Sequence, residues 1–185
     1  MPWPTKISRA FATEGGPNGA IDNRYYGAYN KLLYTLFPPD SDFTVSPNYL
    51  PSDIDNITDF VALFEVMFRD HPVLVLQMKP PQCLSMMSAR EAADKQMRDR
   101  LADLLERALL PVLHGISAIG TKLCFYKLEK ASCRITPRRI TNNPEYTIDV
   151  APRDRWDCDI LEAEGEQRLR SLVAQITEAC KCLQA

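Results

Sequence analysis

The fold is decided by residues 59–81, which read DFVALFEVMFRDHPVLVLQMKPP. Apolar side chains alternate from Phe60 to Phe68 with a period of two, which predicts a strand with one buried face. Residues 73–76 are apolar on both faces, a pattern typical of a strand in the centre of a sheet. The polar residues and proline at 69–72 favour a turn between them. This stretch therefore predicts a β-hairpin whose second strand is central.

Helical and strand patterns continue on both sides of the hairpin. Pro47 interrupts the strand pattern of residues 43–50 and indicates either an edge strand or a break in the strand, because proline cannot donate a hydrogen bond to a ladder. Ser88 and Glu91 have the spacing of a capping box and predict the start of a helix. The remaining elements are predicted as helices at 24–37, 88–109 and beyond 165, and as strands at 115–119 and 122–129, with a further strand as an option around 134–140. This order predicts an α/β protein with a mixed β-sheet, flanking helices and a C-terminal helix.

Composition excludes several classes of protein. The chain has 185 residues, of which 45% are hydrophobic and 25% charged, so it is neither disordered nor fibrous in composition. No apolar run approaches the roughly 18–20 residues that span a bilayer, and we expect no membrane partner. The net charge of -2 argues against a histone-like nucleic-acid binder. Because prolines and glycines occur without periodicity in residues 1–20, we expect a flexible N-terminal arm there and a single domain over 21–185.

The amino terminus and the metal-binding residue types bear on compartment and chemistry. The first residues lack the apolar segment of a secretory signal, which predicts a cytoplasmic or nuclear protein. The six cysteines contain no Cys-x-x-Cys motif, so we expect free thiols rather than a zinc site. With only two histidines in the chain, a bound metal is expected to have oxygen ligands, as Mg²⁺ does.

Three polar residues mark the open end of the hairpin. Asp59 begins the first strand, whereas Gln77 and Lys79 end the second and share one face by alternation. A hairpin folds Asp59 back toward this end, so we expect the three side chains to converge. A lysine that ends an interior strand is costly unless it has a partner or a wet cleft, and Asp59 is the obvious partner. The other interpretations are a turn-capping role for Asp59 and a solvated strand-end lysine.

This arrangement resembles the PD-(D/E)xK nuclease superfamily, in which an Asp on one strand is followed about 15–20 residues later by acid-x-Lys. The separation from Asp59 to Gln77 is 18 residues, and the helix and strand order fits the αβββαβ restriction-endonuclease-like core of that superfamily. The resemblance implies that Asp59, Gln77 and the Met78 carbonyl hold Mg²⁺ or Mn²⁺ and that Lys79 is the catalytic lysine. Glutamine replaces the acid at position 77, which removes one negative charge and weakens the expected site.

The same resemblance suggests accessory residues on the neighbouring helices. Asn30 occupies the first helix, which often adds an acid in the superfamily, and Lys95 or Gln96 would face the site from the helix after Lys79. Several short strings also resemble a group of proteins from mushroom-forming fungi. This resemblance indicates the kind of organism that the protein comes from rather than the reaction that it catalyses. These strings are Tyr25-Tyr26-Gly27, Asn30-Lys31-Leu32-Leu33, Leu36-Phe37-Pro38-Pro39, Gln77-x-Lys79-Pro80-Pro81 and Trp156-Asp157-Cys158-Asp159.

Charge is distributed unevenly along the chain. Residues 122–139 contain six basic residues and one acid, a local excess of +5 that predicts contact with a phosphate backbone. The alternative is a solvated strand face. The predicted nucleic-acid-binding residues are Lys122, Lys127, Lys130, Arg134, Arg138 and Arg139. By contrast, residues 40–70 contain seven acids and one arginine, which would repel nucleic acid unless a metal neutralises part of the charge.

The sequence thus predicts a metal-dependent nuclease that cleaves DNA rather than RNA and is centred on Asp59, Gln77 and Lys79. The alternative is a catalytically inactive binding module of the same fold, which the neutral Gln77 favours. A homodimer is compatible with either interpretation. Asp154, Asp157 and Asp159 form a second acidic cluster. Capping or salt bridges explain these residues more simply than cation binding does.

Overall fold

The computed structural model describes residues 3–12, 23–51, 60–141, 145–146 and 148–183. The α-helices in these ranges are α1 (Thr5–Ala12), α2 (Asn23–Leu36), α3 (Met87–Leu104) and α4 (Ala163–Cys182). The strands are β1 (Phe43–Pro51), β2 (Phe60–Phe68), β3 (His71–Lys79), β4 (Val112–Ile119), β5 (Lys122–Glu129), β6 (Arg134–Thr136) and β7 (Cys158–Asp159). Short 3₁₀ turns occupy Pro81–Ser85, Leu105–Arg107 and Arg153–Arg155.

The predicted hairpin is present as the antiparallel pair β2–β3. Its turn consists of Arg69 and Asp70, which have φ angles of 47° and 68°. Positive φ at both central residues is the property of the two-residue type I′ turn, whose twist matches that of the flanking strands. The turn is shorter than the sequence indicated, so β3 already begins at His71.

The described strands form one mixed sheet of seven strands. Its order is β1-β2-β3-β4-β5-β6. The strand β6 pairs with the last residues of β5, and β7 pairs with its first residues. The pair β3–β4 is parallel, and all other pairs are antiparallel. β1, which contains Pro47, is an edge strand and β3 is interior, as the sequence predicted. The prediction of a mixed α/β sheet with a C-terminal helix is therefore confirmed.

Helices cover both faces of the sheet. On one face, α1, α2 and α4 pack against Leu74, Leu76 and Met78 of β3 and against their neighbours in the sheet. On the other face, α3 packs through Met97 and Leu101 against alternate residues of the same strands. Because successive side chains of β3 point to opposite faces, its nearly continuous apolar sequence is explained by burial on both sides. The parallel β3–β4 pair is joined through α3, which brings the end of β3 close to the start of this helix.

The first residues of the chain differ from the expected flexible arm. Residues 5–12 form α1, and Trp3, Ile7 and Phe11 are buried in the core. The Trp3 indole N–H donates to the Ile160 carbonyl across 2.6 Å. The spacing of four residues places Ile7 and Phe11 on one face of α1, and Trp3 packs into the same core just before the helix begins. This short helix is stabilised by packing rather than by its own propensity.

The beginning of α3 also differs from the prediction. The helix starts at Met87, and the N-cap residue Met86 makes no side-chain capping hydrogen bond. Ser88 therefore lies inside the first turn, and the predicted capping box with Glu91 is wrong. The preceding 3₁₀ turn fixes the entry, since the Met86 amide donates to the Cys83 carbonyl at 3.2 Å. Among the described helices, none combines the length and the apolarity that crossing a membrane requires.

Candidate functional site

The candidate site lies at the carboxyl end of β3. Gln77 pairs in the ladder with Leu63 of β2 and with Ser117 of the parallel strand β4. Lys79, two residues further on the same face, is partly exposed at the last position of the strand. Its backbone carbonyl accepts a hydrogen bond from the Gly120 amide at 2.9 Å, which ties the ends of β3 and β4 together. Gln77 and Lys79 therefore lie on one face at the carboxyl end of the interior strand β3.

Gln77 is held in a defined orientation by helix α3. Its Nε2 donates to the Oε1 atom of Gln96 across 2.8 Å, and the residue is 2% exposed. The Gln77 Oε1 atom has no hydrogen-bond partner in the described part of the chain, and the same is true of the Ser117 Oγ atom beside it. Leaving a buried polar atom unpaired costs about 1–3 kcal/mol, so these two atoms on adjacent strands are a costly polar feature of the sheet interior.

The metal ligands predicted from the sequence have different outcomes. Asp59 lies outside the described residues. Met78 is buried, and its side chain packs on the face opposite to Gln77, while its backbone lies in a strand paired on both sides. No group of three or more His, Cys, Asp or Glu side chains that could hold a metal occurs among the described residues. In that part of the chain, the site offers the neutral oxygen of Gln77 and the ammonium of Lys79.

Glu65 is the described carboxylate on the same sheet face in β2, but it is already neutralised. The residue is 4% exposed, and its Oε1 atom accepts hydrogen bonds from both Nε and Nη2 of Arg100 on α3. A buried carboxylate with an arginine partner is most stable as an ion pair. We therefore do not count Glu65 as a metal ligand.

The three accessory residues occupy different places. Gln96 is the residue that contacts Gln77, as described above. Lys95 is exposed on α3 and its Nζ atom contacts Asp99 at 2.8 Å. Asn30 belongs to α2, which packs against the opposite face of the sheet. The structure thus brings Gln96, but neither Lys95 nor Asn30, to the amide of Gln77.

The six predicted nucleic-acid-binding residues do not form one stripe. Lys122 pairs with Asp159 at 3.4 Å, and the Lys130 ammonium donates to the Ala108 carbonyl at 2.5 Å. Lys127 is exposed at the ladder position next to His114. The other three residues line a cleft beside α3, and they are Arg134, Arg138 and Arg139. Strand alternation and the loop after β5 therefore disperse a charge that is continuous in the sequence.

A buried polar cluster around Asp94 was not recognised from the sequence. Asp94 accepts hydrogen bonds from Arg98, Arg155 and the Tyr126 hydroxyl at 2.7–3.1 Å, and it is 5% exposed. Burial, and then the charges of nearby groups including Asp94, raises the pKa of Tyr126, which keeps its hydroxyl a donor. The available signal was the i, i+4 spacing of Asp94 and Arg98 on the apolar stripe of α3. Their partners lie far away in the chain and could not be inferred.

Ordinary contacts account for two of the three acids near Trp156, and the third, Asp154, is exposed. Asp157 pairs with Arg168 at 2.9 Å, and Asp159 accepts from the Thr121 hydroxyl and the Leu161 amide. The sequence proposed salt bridges here, although to Arg153 or Arg155 rather than to the observed partners. These contacts are sufficient to explain the carboxylates of Asp157 and Asp159.

His114 on β4 is a buried neutral base. It is 7% exposed, and its Nδ1 atom has no hydrogen-bond partner in the described ranges. Burial, with a smaller contribution from the charge of Lys127, lowers the pKa of His114 to about 4. The second histidine, His71, contacts the Arg107 carbonyl through Nδ1 at 2.9 Å. Neither histidine lies beside Gln77 in the strand register.

Comparisons with known proteins supply no relative. No family model matches the chain, and no curated protein or solved structure is significantly similar to it. The resemblance to the PD-(D/E)xK superfamily, and that to the fungal group, accordingly stay predictions.

Proposed function

We propose that this chain is a PD-(D/E)xK-like nuclease that hydrolyses phosphodiester bonds, in DNA rather than RNA, with Mg²⁺ or Mn²⁺. The observation that carries the proposal is the orientation of Gln77. Its amide nitrogen donates to Gln96, and its carbonyl-type Oε1 atom, two residues before Lys79, has no hydrogen-bond partner among the described residues. Hard divalent cations prefer such oxygen ligands.

The order of elements supports the proposal. Helix α2 is followed by β1, β2 and β3, then by α3 and β4, and β4 runs parallel to β3. The αβββαβ core of the superfamily requires this sequence of helices and strands. In the same arrangement Lys79 ends the interior strand β3, and α3 follows it after the 3₁₀ turn Pro81–Ser85.

Each residue then has a distinct role. Asp59 and the Gln77 Oε1 atom hold the cation, together with the Met78 carbonyl. A bound divalent cation polarises the phosphate and lowers the pKa of an attacking water. The Lys79 ammonium stabilises the negative charge that develops on the phosphate oxygens. Because Gln77 is neutral, we expect weaker cation binding than at a site with two carboxylates.

The test is cleavage of plasmid and oligonucleotide substrates in Mg²⁺, Mn²⁺ and EDTA. Asp59→Ala and Lys79→Ala should each lower the rate by about 100-fold or more, as the loss of a transition-state contact does. Asp154→Ala and Lys31→Ala are the matched controls, since both residues are exposed and lie outside the site. Metal-dependent cleavage that is lost in Asp59→Ala and Lys79→Ala but kept in both controls supports the proposal. Unchanged activity in Asp59→Ala or in Lys79→Ala refutes the site assignment.

A second candidate function is a catalytically inactive binding module with the same fold. It is favoured by the near-complete burial of the neutral Gln77 and by the engagement of Glu65 with Arg100. The variant Gln77→Glu separates the two candidates, because it introduces the missing acid. Cleavage that is faster in this variant supports the nuclease, whereas no cleavage by either form in Mn²⁺ supports the inactive module.

A further inference from the structure

A cleft of about 660 Å³ lies between α3 and residues 133–139, on the far side of α3 from Gln77. We call it the arginine cleft, defined by Arg98, Arg134, Arg138 and Arg139. Gln96 and Arg100 of α3 contact β3 and β2, whereas Arg98 points toward Tyr126 of β5. The helix, about 10 Å wide, therefore separates the cleft from the candidate catalytic residues.

Arg98 of the arginine cleft is paired with Asp94, whereas the charges of its other three arginines are not balanced within the described part of the chain. Arg134, Arg138 and Arg139 are exposed, and their guanidinium groups have no ion-pair partner among the described residues. Asp99 also lines the cleft, but its carboxylate is engaged by Lys95 at 2.8 Å. Like charges held close together repel one another, and a bound anion removes this repulsion.

The backbone of residues 137 and 138 is held in place by hydrogen bonds from two other arginines. Arg98 donates to the Pro137 carbonyl at 2.7 Å, and Arg155 donates to the Arg138 carbonyl at 2.9 Å. Both donors are also bound to the buried carboxylate of Asp94. Asp94 is thus a positioning residue, which holds the segment through two arginines. A site fixed before its ligand arrives loses less conformational freedom on binding.

The ligand chemistry follows from the residues that line the cleft. Guanidinium groups match the oxygens of phosphates in bidentate geometry. No aromatic side chain lines the cleft in the described part of the chain, so stacking of a base is not provided for. Of the lysines that would extend the surface along a nucleic-acid backbone, Lys122 contacts Asp159 and Lys130 contacts the Ala108 carbonyl. Lys127 follows Tyr126 on β5 and therefore lies on the sheet face opposite to α3. The volume is that of a small-molecule site.

We propose that the arginine cleft binds a compact polyphosphate group, either free or as the phosphate tail of a small molecule. The binding residues are Arg134, Arg138 and Arg139. This site is independent of the nuclease proposal, because it uses none of Asp59, Gln77 or Lys79.

The probe for binding is inorganic triphosphate, titrated calorimetrically into the full chain at low salt. Replacing one of the binding residues, as in Arg138→Gln or Arg139→Gln, should weaken binding about tenfold or more, the effect of losing a charged hydrogen bond. Arg153→Gln is the matched control, since Arg153 is exposed on a 3₁₀ turn outside the cleft. No heat with triphosphate, or equal weakening in Arg153→Gln, overturns the proposal.

Cys133 reports where the ligand binds. It is an exposed thiol that lines the cleft, whereas Cys182 is exposed at the end of α4. Triphosphate should slow alkylation of Cys133 by iodoacetamide and leave that of Cys182 unchanged. Equal rates with and without triphosphate at Cys133 would place any binding elsewhere and overturn the assignment.

Two further ligands test the compactness of the group that is bound. ATP should bind about as tightly as triphosphate and AMP much more weakly, because the phosphates rather than the base are recognised. AMP binding as tight as that of ATP contradicts this.

A duplex oligonucleotide tests whether nucleic acid occupies the cleft instead. If the duplex displaces triphosphate and protects Cys133 equally well, the cleft is assigned to nucleic acid and the small-molecule proposal is overturned.

Discussion

Arg100 on α3 donates hydrogen bonds from both Nε and Nη2 to the Oε1 atom of Glu65 on β2, and the Nε–Oε1 distance is 2.8 Å. The pair joins the helix to the sheet next to the Gln77–Gln96 contact. Because Glu65 is paired with Arg100, its carboxylate is not available as a metal ligand on that face of the sheet.

Breaking this ion pair should be costly for stability. Arg100→Ala leaves Glu65 buried without its partner, and we expect the free energy of unfolding to fall by about 3–5 kcal/mol. Lys181→Ala is the control, because its pair with Glu178 is exposed and should contribute less than about 1 kcal/mol. Urea denaturation measures both. The double variant Glu65→Leu/Arg100→Met should recover most of the loss, and equal costs for Arg100→Ala and Lys181→Ala would contradict the account.

Asp94 should stabilise the segment that forms the arginine cleft. Asp94→Ala removes the acceptor shared by Arg98, Arg155 and Tyr126, with an expected cost of about 3–5 kcal/mol in urea denaturation. Hydrogen exchange should also accelerate in peptides that contain residues 137–139. Asp103→Ala, a change at an exposed acid of the same helix that does not line the cleft, should change neither quantity. Unchanged exchange in Asp94→Ala would show that the two arginine–carbonyl contacts do not depend on this carboxylate.

His114 should make stability decrease in acid. The histidine pKa is near 6.5 in an unfolded chain and about 4 in the folded protein, so the unfolded state binds more protons between these values. The stabilisation is therefore complete above pH 6.5 and is lost as the pH falls toward 4, by at most about 3 kcal/mol. Urea denaturation of His114→Gln should show a flatter dependence across this range. The control His71→Gln should retain the slope, and an unchanged slope in His114→Gln would be inconsistent with a buried neutral imidazole.

The sheet was predictable because its signals are local. Alternation in 60–68 and the doubly apolar run at 73–76 specified the hairpin, and Pro47 correctly indicated an edge. The helix α1 was missed although Trp3, Ile7 and Phe11 recur every four residues, because a helix of eight residues forms only with the core that covers it. Local pattern thus predicts elements whose burial is visible in their own alternation, whereas a short helix with two buried side chains is defined by the core that covers it.

The site was predictable only in part, since its contacts join residues far apart in the sequence. Alternation correctly placed Gln77 and Lys79 on one face, and Gln96 was one of two candidates on the next helix. The Asp94 cluster joins α3 to Tyr126 and Arg155, and no local pattern encodes that. Likewise, the sequence of the basic stretch 122–139 predicts one phosphate-binding surface. In the structure, ion pairs and strand alternation separate its lysines, and only Arg134, Arg138 and Arg139 line the same cleft.

The most direct test of the central claim is Mn²⁺ binding, followed by electron paramagnetic resonance in the full chain. Gln77→Glu adds a carboxylate to the site and should tighten binding by about tenfold or more, whereas Asp59→Asn should weaken it by a similar factor. Asp154→Asn, a change at an exposed acid, should leave the affinity as in the original chain. The account predicts these three different responses. Equal Mn²⁺ affinity in all the variants would contradict a metal site at Asp59 and Gln77.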